Sequence, residues 1–278
     1  MRRIEKQINE YLEYCEKVRN LSPKTIANYK DVLVRLSESV AVSSINKVTN
    51  QMVEDFLKSQ HWCGANSNRN LTSIKTAFRY FAKRGEKLSI NLDALERVKE
   101  EPPRAVFYTK AEIDEVLSIC GELDWLLVRI SFEGGLRIRE LVNLQPSDLK
   151  GNRITFIGKG RVRREVYISE ETRLRLAGWI SEHPQNKWMW MWEKDGVRHK
   201  YTNNGIRIRM RKVFRKCGHD DFYPHALRHS FATHILHEGA PVNVVKEMMG
   251  HSQIRTTMNY IHQIEGRLER AFSEFGVY

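Results

Sequence analysis

The sequence predicts a mostly helical protein of two domains, with one small antiparallel β hairpin in the second domain. Three observations support this prediction. Apolar residues recur at spacings of three and four through the first 98 residues and again from about residue 203, which is the period of amphipathic helices. A charged stretch with two prolines, residues 99–105, interrupts the pattern as a linker does. Two β-rich runs flank a glycine-containing turn within residues 152–169, which is a hairpin signature.

The first 98 residues are expected to form a bundle of four helices. The helical segments are residues 8–18, 25–36, 51–60 and 68–85. Ser22 followed by Pro23 is a start signal for the second helix, and Gly85 is a stop signal for the fourth. The fourth segment also carries a row of cationic side chains, which is either solvated surface or a face that binds a polyanion.

Residues 106–278 are expected to form a second domain of mixed helical and β structure. It begins with a helix in residues 108–120, continues with the hairpin and then returns to helices. The predicted organisation is therefore a helical domain over residues 1–98, a linker over 99–105 and the second domain over 106–278, which ends in a helical tail.

The charge balance favours a nucleic-acid partner. Lys and Arg number 46 against 34 Asp and Glu, a formal net charge of +12. The excess is +6 in residues 1–100 (18 basic, 12 acidic) and +6 in residues 101–278 (28 basic, 22 acidic). Both predicted domains can therefore line one polyanion. Charge alone is equally compatible with a basic protein that binds no nucleic acid.

The spacing of the cysteines and the length of the apolar runs bear on where in the cell the protein is located. The cysteines are Cys15, Cys63, Cys120 and Cys217. Their wide separation argues against a zinc ribbon and against a disulfide framework, and it fits a reducing cytoplasm. The N-terminus lacks the apolar segment of a signal peptide, and no apolar run approaches the roughly 20 residues that span a bilayer. We therefore expect a soluble cytoplasmic protein with no membrane partner.

Two glycine-flanked cations are candidates for binding an anion. Arg137 follows two glycines at a helix start, where free backbone N–H groups and the helix dipole favour anions. The alternative is a surface arginine near a turn. Lys159 lies between two glycines at the hairpin tip and is followed by Arg161, Arg163 and Arg164. A hairpin tip with this much positive charge is suited to binding a polyanion. The alternative is that the basic residues only protect the edge of the sheet from pairing with another chain.

Residues 225–234, HALRHSFATH, place several imidazoles beside an arginine. Pro224 suits the first position of a helix, which puts His225, Arg228 and His229 on one side of that helix. Zinc is disfavoured there, because the guanidinium would repel the dication and no acidic residue lies between the two histidines. A phosphate gains from all of these side chains. His229 either contacts the residues that bind the phosphate, without touching the phosphate itself, or is a structural histidine.

Residues 248–262 contain a further histidine and a tyrosine. Gly250 ends one helix, His251 lies on the turn, and Tyr260 falls late in the next helix or just past it. A helix–turn–helix DNA-binding motif is a competing interpretation. The side chains suited to base reading would then be Gln253, Arg255 and Asn259.

Together these segments resemble the tyrosine recombinase (phage integrase) family in residue type, order and approximate spacing. The matching residues are Arg137 in GGLRIREL, Lys159 in GKG, His225 and Arg228 in HALRHSFATH, His251 in GH, and Tyr260 nine residues later. The short two-domain layout is similar to that of the Xer-type members. The resemblance implies a helical core-binding (SAM-like) bundle followed by an α+β catalytic domain.

The resemblance also implies a mechanism, in which Tyr260 attacks a DNA phosphodiester to form a 3′-phosphotyrosyl link and releases a 5′ hydroxyl. Arg137 and Arg228 hold the non-bridging oxygens and offset the charge of the transition state. No Mg²⁺ is required because these cations are present, and no ATP is required because the phosphotyrosine retains the energy of the broken bond, so the resemblance implies no cofactor.

Proton transfer falls to other residues by the same resemblance. Lys159 protonates the departing 5′ oxygen. His225, near a helix N-terminus that favours its neutral form, takes the proton of the tyrosine. His251 donates a hydrogen bond to the phosphate.

The implied partner is a double-stranded DNA recombination site, on which family members act as tetramers that hold two sites through a Holliday junction. Exchange of C-terminal helices would link the subunits, but the apolar face of the tail can equally pack on its own domain. An accessory or activating protein is a further candidate partner. The residues expected to contact DNA are Arg69, Lys75, Arg79, Arg161, Arg163, Arg164 and Arg255.

Three rival functions stay open at this point. A type IB topoisomerase shares the chemistry and relaxes DNA as a monomer. A non-catalytic DNA-binding regulator would use the helix–turn–helix motif and would tolerate loss of Tyr260. A metal-dependent nuclease would lose its activity to a chelator.

Overall fold

The chain divides into two compact units, Met1–Pro103 and Arg104–Tyr278. The computed structural model describes residues 2–99, 106–158 and 163–250. Most of the predicted linker, the tip of the predicted hairpin and the predicted C-terminal tail therefore lie outside the described residues.

The first unit is a bundle of helices, as the sequence predicts. They are α1 (Arg3–Lys17), α2 (Pro23–Ser39), α3 (Asn50–Ser59) and α4 (Gly64–Lys83). The side chain of Ser22 accepts a hydrogen bond from the backbone N–H of Thr25, with Pro23 at the start of α2. This satisfies a donor that the first turn leaves without a partner. Gly85 follows α4 with φ of 85°, in the left-handed region that favours glycine at a helix end.

The apolar faces of these four helices meet in one core. Tyr11 on α1, Leu33 on α2, Phe56 on α3 and Phe78 on α4 are buried there. Each lies on the apolar face that the three-and-four spacing predicts. Full burial of a Leu or Phe side chain stabilises the fold by about 1.5–3 kcal/mol.

The second unit combines helices with two small antiparallel sheets in its described part. Its helices are α5 (Lys110–Ser118), α6 (Glu122–Gly134), α7 (Ile138–Val142), α8 (Glu170–Glu182), α9 (Asn203–Lys216), α10 (Pro224–His237) and α11 (Val242–Met249). Its strands are β1 (Leu149–Lys150), β2 (Arg153–Ile157), β3 (Arg163–Tyr167), β4 (Met191–Lys194) and β5 (Val197–Lys200). None of the described helices in either unit is long and apolar enough to cross a membrane.

The predicted hairpin is formed by β2 and β3, and β1 pairs on the other side of β2. The register sets Ile154 opposite Val166 and Phe156 opposite Arg164. Successive side chains of a strand point to opposite faces, so these four residues share the buried face of the sheet.

A second hairpin, β4–β5, was missed by the sequence analysis. Its two-residue turn is Asp195–Gly196, with φ of 52° and 74°. Turns with two positive φ angles match the twist of an antiparallel pair, and Asp-Gly is a favoured sequence for them. The dipeptide was therefore a usable signal.

Helix α10 is held in place from several directions. Leu227 is fully buried in the main core of the second unit, and Phe231 belongs to a smaller cluster with Met249 of α11. On another side, the backbone N–H of Tyr108 donates to Ser230 Oγ at 2.7 Å. These contacts fix the helix that carries His225 and Arg228.

Candidate active site

Arg137 lies at the N-terminus of α7, directly after a sharp change of chain direction. Gly135 ends α6 with φ of 55°, and a Cβ there would lie 2.6 Å from the ring of Phe231, so the position requires glycine. The backbone N–H of Arg137 donates to Glu140 Oε2 at 2.9 Å, and its Nη1 donates to Oε1 of the same carboxylate at 2.9 Å. The guanidinium is therefore oriented by the first turn of its own helix.

Glu140 lies at the centre of the site, although the sequence analysis gave it no role. The residue is 7% exposed. Its Oε2 also accepts a hydrogen bond from Arg164 Nη1 at 2.9 Å and lies 4.0 Å from Arg228 Nη1. Burial alone would raise the pKa of Glu140, but the backbone N–H of Arg137 and the charges of Arg164 and Arg137 outweigh burial and lower that pKa. The carboxylate stays ionised and holds the three guanidinium groups together.

The C-terminus of α11 meets the same three arginines. Three successive carbonyl oxygens there each accept a hydrogen bond from a different arginine: Met248 from Arg164, Met249 from Arg228, and Gly250 from Arg137, the last at 3.4 Å. The last carbonyls of a helix have no hydrogen-bond partner within it and form the negative end of its dipole. The arginines supply the missing donors and also place positive charge at that end. The end of α11 is thereby fixed to the arginine cluster.

Arg228 connects three elements. It is 3% exposed on α10. Its Nη1 donates to the carbonyl of Gly135 in the turn between α6 and α7, and its Nη2 reaches α11. A buried guanidinium must be satisfied by acceptors on every side, and these contacts give Arg228 a fixed orientation next to Arg137.

His225 and His229 lie on the same helix as Arg228, in its first and second turns. Desolvation by the surrounding protein lowers the pKa of His225, and the charges of Arg228 and Arg137 lower it further. Desolvation also lowers the pKa of His229, with His225 and Arg228 as additional causes. Both imidazoles are therefore neutral at physiological pH. Within the described ranges, no three His, Cys, Asp or Glu side chains are grouped to hold a metal ion.

Arg164, predicted to contact DNA, requires a correction. Its side chain is 7% exposed and forms an ion pair with Glu140 at 2.9 Å. The guanidinium also lies over the ring of Phe156, 5.3 Å from the centroid. Arg163, the adjacent residue, has a 69% exposed side chain. The alternation of β3 explains the difference, because adjacent residues of a strand face opposite sides.

The other predicted residues of this unit lie outside the described residues. They are Lys159, Arg161, His251, Arg255 and Tyr260. The described residues next to two of them lie against Arg164: a Cβ at Gly158 would be 3.0 Å from Arg164 Cδ, and a Cβ at Gly250 would be 2.5 Å from Arg164 Nε. Gly158 and Gly250, which precede Lys159 and His251 in the sequence, therefore both lie at the same arginine cluster.

In the first unit, the three residues predicted to contact DNA differ in their surroundings. Arg69 is exposed on α4 and lines a cleft of about 430 Å³ between α2 and α4, with Asn28 and Asn70. Arg79 is exposed and lies 3.9 Å from Asp93. Lys75 is half-buried, and its Nζ donates to the carbonyl of Leu95 at 2.6 Å. Lys75 thus stabilises the end of the first unit, whereas Arg69 has a polar cleft beside it.

A basic face on α9 was also missed. The helix carries six basic residues and no acidic one. Arg207, Arg211 and Arg215 are exposed and spaced by four, so they share one face. Arg211 Nε donates to the carbonyl of Phe222 at 3.4 Å, which joins this face to the segment that leads into α10. The run RIRMRK in the sequence was a usable signal for this face.

Both units of the chain match models of known protein families. Residues 107–267 match the Phage integrase family, and residues 8–85 match the Phage integrase N-terminal SAM-like domain. The chain therefore belongs to the phage integrase family. Members of this family are tyrosine recombinases, and the chain is accordingly a DNA strand-transferring enzyme of the Xer-like kind.

Relatives and solved structures agree with this assignment over nearly the whole chain. Tyrosine recombinase XerC of Oceanobacillus iheyensis is 26% identical, covering 98% of this chain and 96% of the relative. XerC of Natranaerobius thermophilus is 25% identical, covering 97% and 98%. The fold is similar to that of XerH site-specific recombinase bound to palindromic difH substrate (TM-score 0.74, 22% identity, 96% of this chain and 84% of that chain). It is also similar to that of a lambda integrase dimer bound to a COC′ core site (TM-score 0.73, 14% identity, 92% and 94%).

Proposed function

We propose that the chain is a site-specific recombinase that cleaves and rejoins DNA through a 3′-phosphotyrosyl intermediate at Tyr260. The observation that carries this proposal is the pairing of Arg137 and Arg228 around one carboxylate, at 2.9 and 4.0 Å from the oxygens of Glu140. Two guanidinium groups held in fixed orientations supply the preorganised positive charge that a pentavalent phosphoryl transition state requires. Arginine suits this role because its planar fork matches two phosphate oxygens.

His225 is the proposed acceptor of the phenolic proton. Its pKa is lowered by desolvation and by Arg228, so the imidazole is neutral and can accept a proton at physiological pH. A tyrosine with a pKa near ~10 needs such a base, or neighbouring cations, to act as a nucleophile. Arg228 would favour the phenolate, whereas its charge disfavours the protonated imidazole; it therefore assists loss of the phenolic proton and keeps His225 neutral, at the cost of a weaker base.

Lys159 and His251 complete the proposed site. Lys159 would protonate the 5′ oxygen as it leaves, and His251 would donate to the phosphate. Support comes from Gly158 and Gly250, which precede these two residues and both lie against Arg164.

DNA contacts are proposed for both units. We take residues 1–98 as the core DNA-binding domain, 99–105 as the linker and 106–278 as the catalytic domain. Arg69 beside its polar cleft and Arg79 are proposed contacts in the first domain, with Arg161, Arg163 and Arg255 in the second. The exposed arginines of α9 are added to this set, and Arg164 is withdrawn from it.

The proposed assembly is a tetramer on two DNA sites, working through a Holliday junction in the cytoplasm, with exchange of C-terminal helices between subunits. The proteins named XerH and lambda integrase were solved on their DNA sites, which supports a DNA partner of this kind.

The decisive experiment uses nicked DNA substrates that carry candidate recombination sites, so that a cleaved strand cannot be rejoined. The chain should form a covalent protein–DNA adduct that survives denaturation and EDTA. Tyr260→Phe should form none, whereas Tyr167→Phe, at an exposed tyrosine of β3, should form as much as the unmodified chain. An adduct retained in Tyr260→Phe would overturn the proposal. Relaxation of supercoiled DNA of any sequence by a monomer would instead identify a topoisomerase.

A further inference from the structure

We propose that Arg164 is a positioning residue for strand cleavage, which acts through Glu140 on Arg137 and through the end of α11 on the turn at Gly250. The inference rests on the proposed function, since it assigns a supporting role in that reaction. Arg164 does not touch the phosphate in this proposal. It sets the geometry of the groups that do.

Burial of Arg164 calls for a reason beyond stability. Its side chain is 7% exposed, and its partner Glu140 is 6% exposed. Removing two charges from water costs several kcal/mol per ion, and buried ion pairs can often be replaced by apolar residues without loss of stability. Burial lowers the pKa of Arg164, but Glu140 opposes the shift and the guanidinium stays charged. A guanidinium that stays charged in a buried position can serve to fix the orientation of the side chains around it.

The first arm of that arrangement runs to Arg137. Glu140 Oε1 accepts from Arg137 Nη1, while Oε2 accepts from Arg164 Nη1, both at 2.9 Å. With one guanidinium on each oxygen, the carboxylate cannot rotate without breaking a charged hydrogen bond. Loss of Arg164 removes the closest guanidinium from Oε2 and leaves that oxygen the backbone N–H of Arg137 and the more distant Arg228, so Glu140 holds the fork of Arg137 less firmly in one orientation. Displacement of a catalytic group by about 1 Å can slow a reaction about 100-fold.

The second arm runs to the end of α11 and to Gly250, the residue before His251. Arg164 Nη2 donates to the carbonyl of Met248. The backbone at Gly250 approaches so closely that a Cβ there would lie 2.5 Å from Arg164 Nε. Because Gly158 lies against the same side chain, one arginine contacts three parts of the site: the hairpin base, the first turn of α7 and the end of α11.

The test is a ratio of cleavage rates on two versions of the nicked DNA site on which the unmodified chain forms its adduct. One version carries the natural scissile phosphate. The other carries a phosphorothioate with sulfur at one defined non-bridging position, in each stereoisomer separately. Sulfur in place of the oxygen held by Arg137 should slow cleavage, and Arg137→Lys should reduce this slowing for that stereoisomer only. A rate ratio is independent of how much of a variant is folded.

Arg164→Met should slow cleavage of the natural phosphate by about 100-fold and should also reduce the stereospecific sulfur effect, as Arg137→Lys does. Arg164→Lys keeps the buried charge beside Glu140, so we expect it to fold even if Arg164→Met does not. It should show the same change in ratio to a smaller extent. Arg153→Met is the matched control, because Arg153 lies on β2 of the same sheet but pairs with a partly exposed Glu165 at 3.3 Å. It should leave the ratio unchanged.

A full sulfur effect in both Arg164 variants, whatever their rates, would overturn the positioning role and leave Arg164 as a structural residue. Absence of any adduct with the unmodified chain, or an adduct retained in Tyr260→Phe, would instead overturn the proposed function and this inference with it. The two failures are therefore distinguishable in one set of reactions.

Discussion

Arg137 and Glu140 are joined twice, once through the backbone N–H of Arg137 and once through its guanidinium, each at 2.9 Å. The double contact makes one carboxylate both the cap of α7 and the counter-ion of the proposed phosphate clamp. A change at Glu140 should therefore affect the fold and the chemistry together.

The first prediction concerns the charge of Glu140. Glu140→Gln keeps the shape of the side chain but leaves two buried guanidinium groups without their counter-ion. Removal of one partner of a buried ion pair costs about 3–5 kcal/mol, so the free energy of unfolding should fall by about that amount in a denaturant titration. Adduct formation should also slow.

Glu165→Gln is the control for this prediction. It makes the same chemical change on β3, where Glu165 pairs with Arg153 and the two side chains are 36% and 46% exposed. Exposed pairs contribute about 0–1 kcal/mol. Equal losses of stability in the two variants would contradict the buried, three-arginine arrangement around Glu140.

A second prediction concerns the turn at Gly250. Gly250→Ala faces two obstacles, a φ of 58° and a Cβ 2.5 Å from Arg164 Nε. Gly239→Ala faces only the first, since its φ is 90° and nothing lies within 4 Å of its Cβ. The left-handed backbone alone costs a non-glycine residue about 1–2 kcal/mol.

The comparison of these two variants isolates the contact with Arg164. Gly239→Ala should lower the free energy of unfolding by about 1–2 kcal/mol and leave the rate of cleavage per folded molecule unchanged. Gly250→Ala should be less stable and should also cleave more slowly. If both variants cleave at the same rate per folded molecule, the approach of Gly250 to Arg164 has no part in the reaction.

The signals that predicted the fold correctly are local in the sequence. Ser22 with Pro23 predicts the start of α2, Pro224 predicts the start of α10, and Gly250 predicts the end of α11. Each signal works because a cap, a fixed φ or a positive φ acts within one turn of the helix it starts or ends. The three-and-four spacing adds the buried faces.

The parts that were missed depend on contacts between distant segments or on a pattern that was not followed. Glu140 receives its role from Arg164, 24 positions later in the chain, and no local pattern indicates that pairing. The orientation of Arg164 was predictable in principle. It is two positions from Val166, and alternate residues of a strand face the same side, so an inward Val166 requires an inward Arg164. Because the hairpin is rich in cations, its arginines were all interpreted as exposed contacts to a polyanion.

A third prediction tests the basic face of α9. Arg207→Gln and Arg211→Gln each remove one exposed cation from the face proposed to contact DNA. Each change should weaken DNA binding by the Tyr260→Phe chain and should reduce the slope of log affinity against log salt concentration by about 1. Gel-shift titrations at several salt concentrations measure both quantities.

Arg173→Gln is the matched control for the charge. Arg173 lies on α8, where it pairs with Glu170 three residues earlier, and it belongs to no proposed contact. Its slope should equal that of the unmodified chain. Slopes reduced equally in all three variants would indicate a general effect of net charge and would remove α9 from the proposed interface.

The last prediction concerns pH, because His225 and His229 lie in surroundings that lower the pKa of both imidazoles. In the unfolded chain a histidine titrates near ~6.5, so just below that pH the unfolded chain binds more protons than the folded chain. The free energy of unfolding should therefore fall as the pH is lowered through this window, and this contribution should level off below the folded pKa values. In the double variant His225→Gln, His229→Gln that part of the pH dependence should be absent, which denaturant titrations from pH 8 to pH 5 would measure. At pH 8 both imidazoles are neutral in either state, so the difference measured there is the internal control for the change of side chain. A difference between the two proteins that stays constant down to pH 5 would mean that these imidazoles titrate alike in the folded and unfolded chains, and His225 would then lose the physical basis for its proposed role as the base.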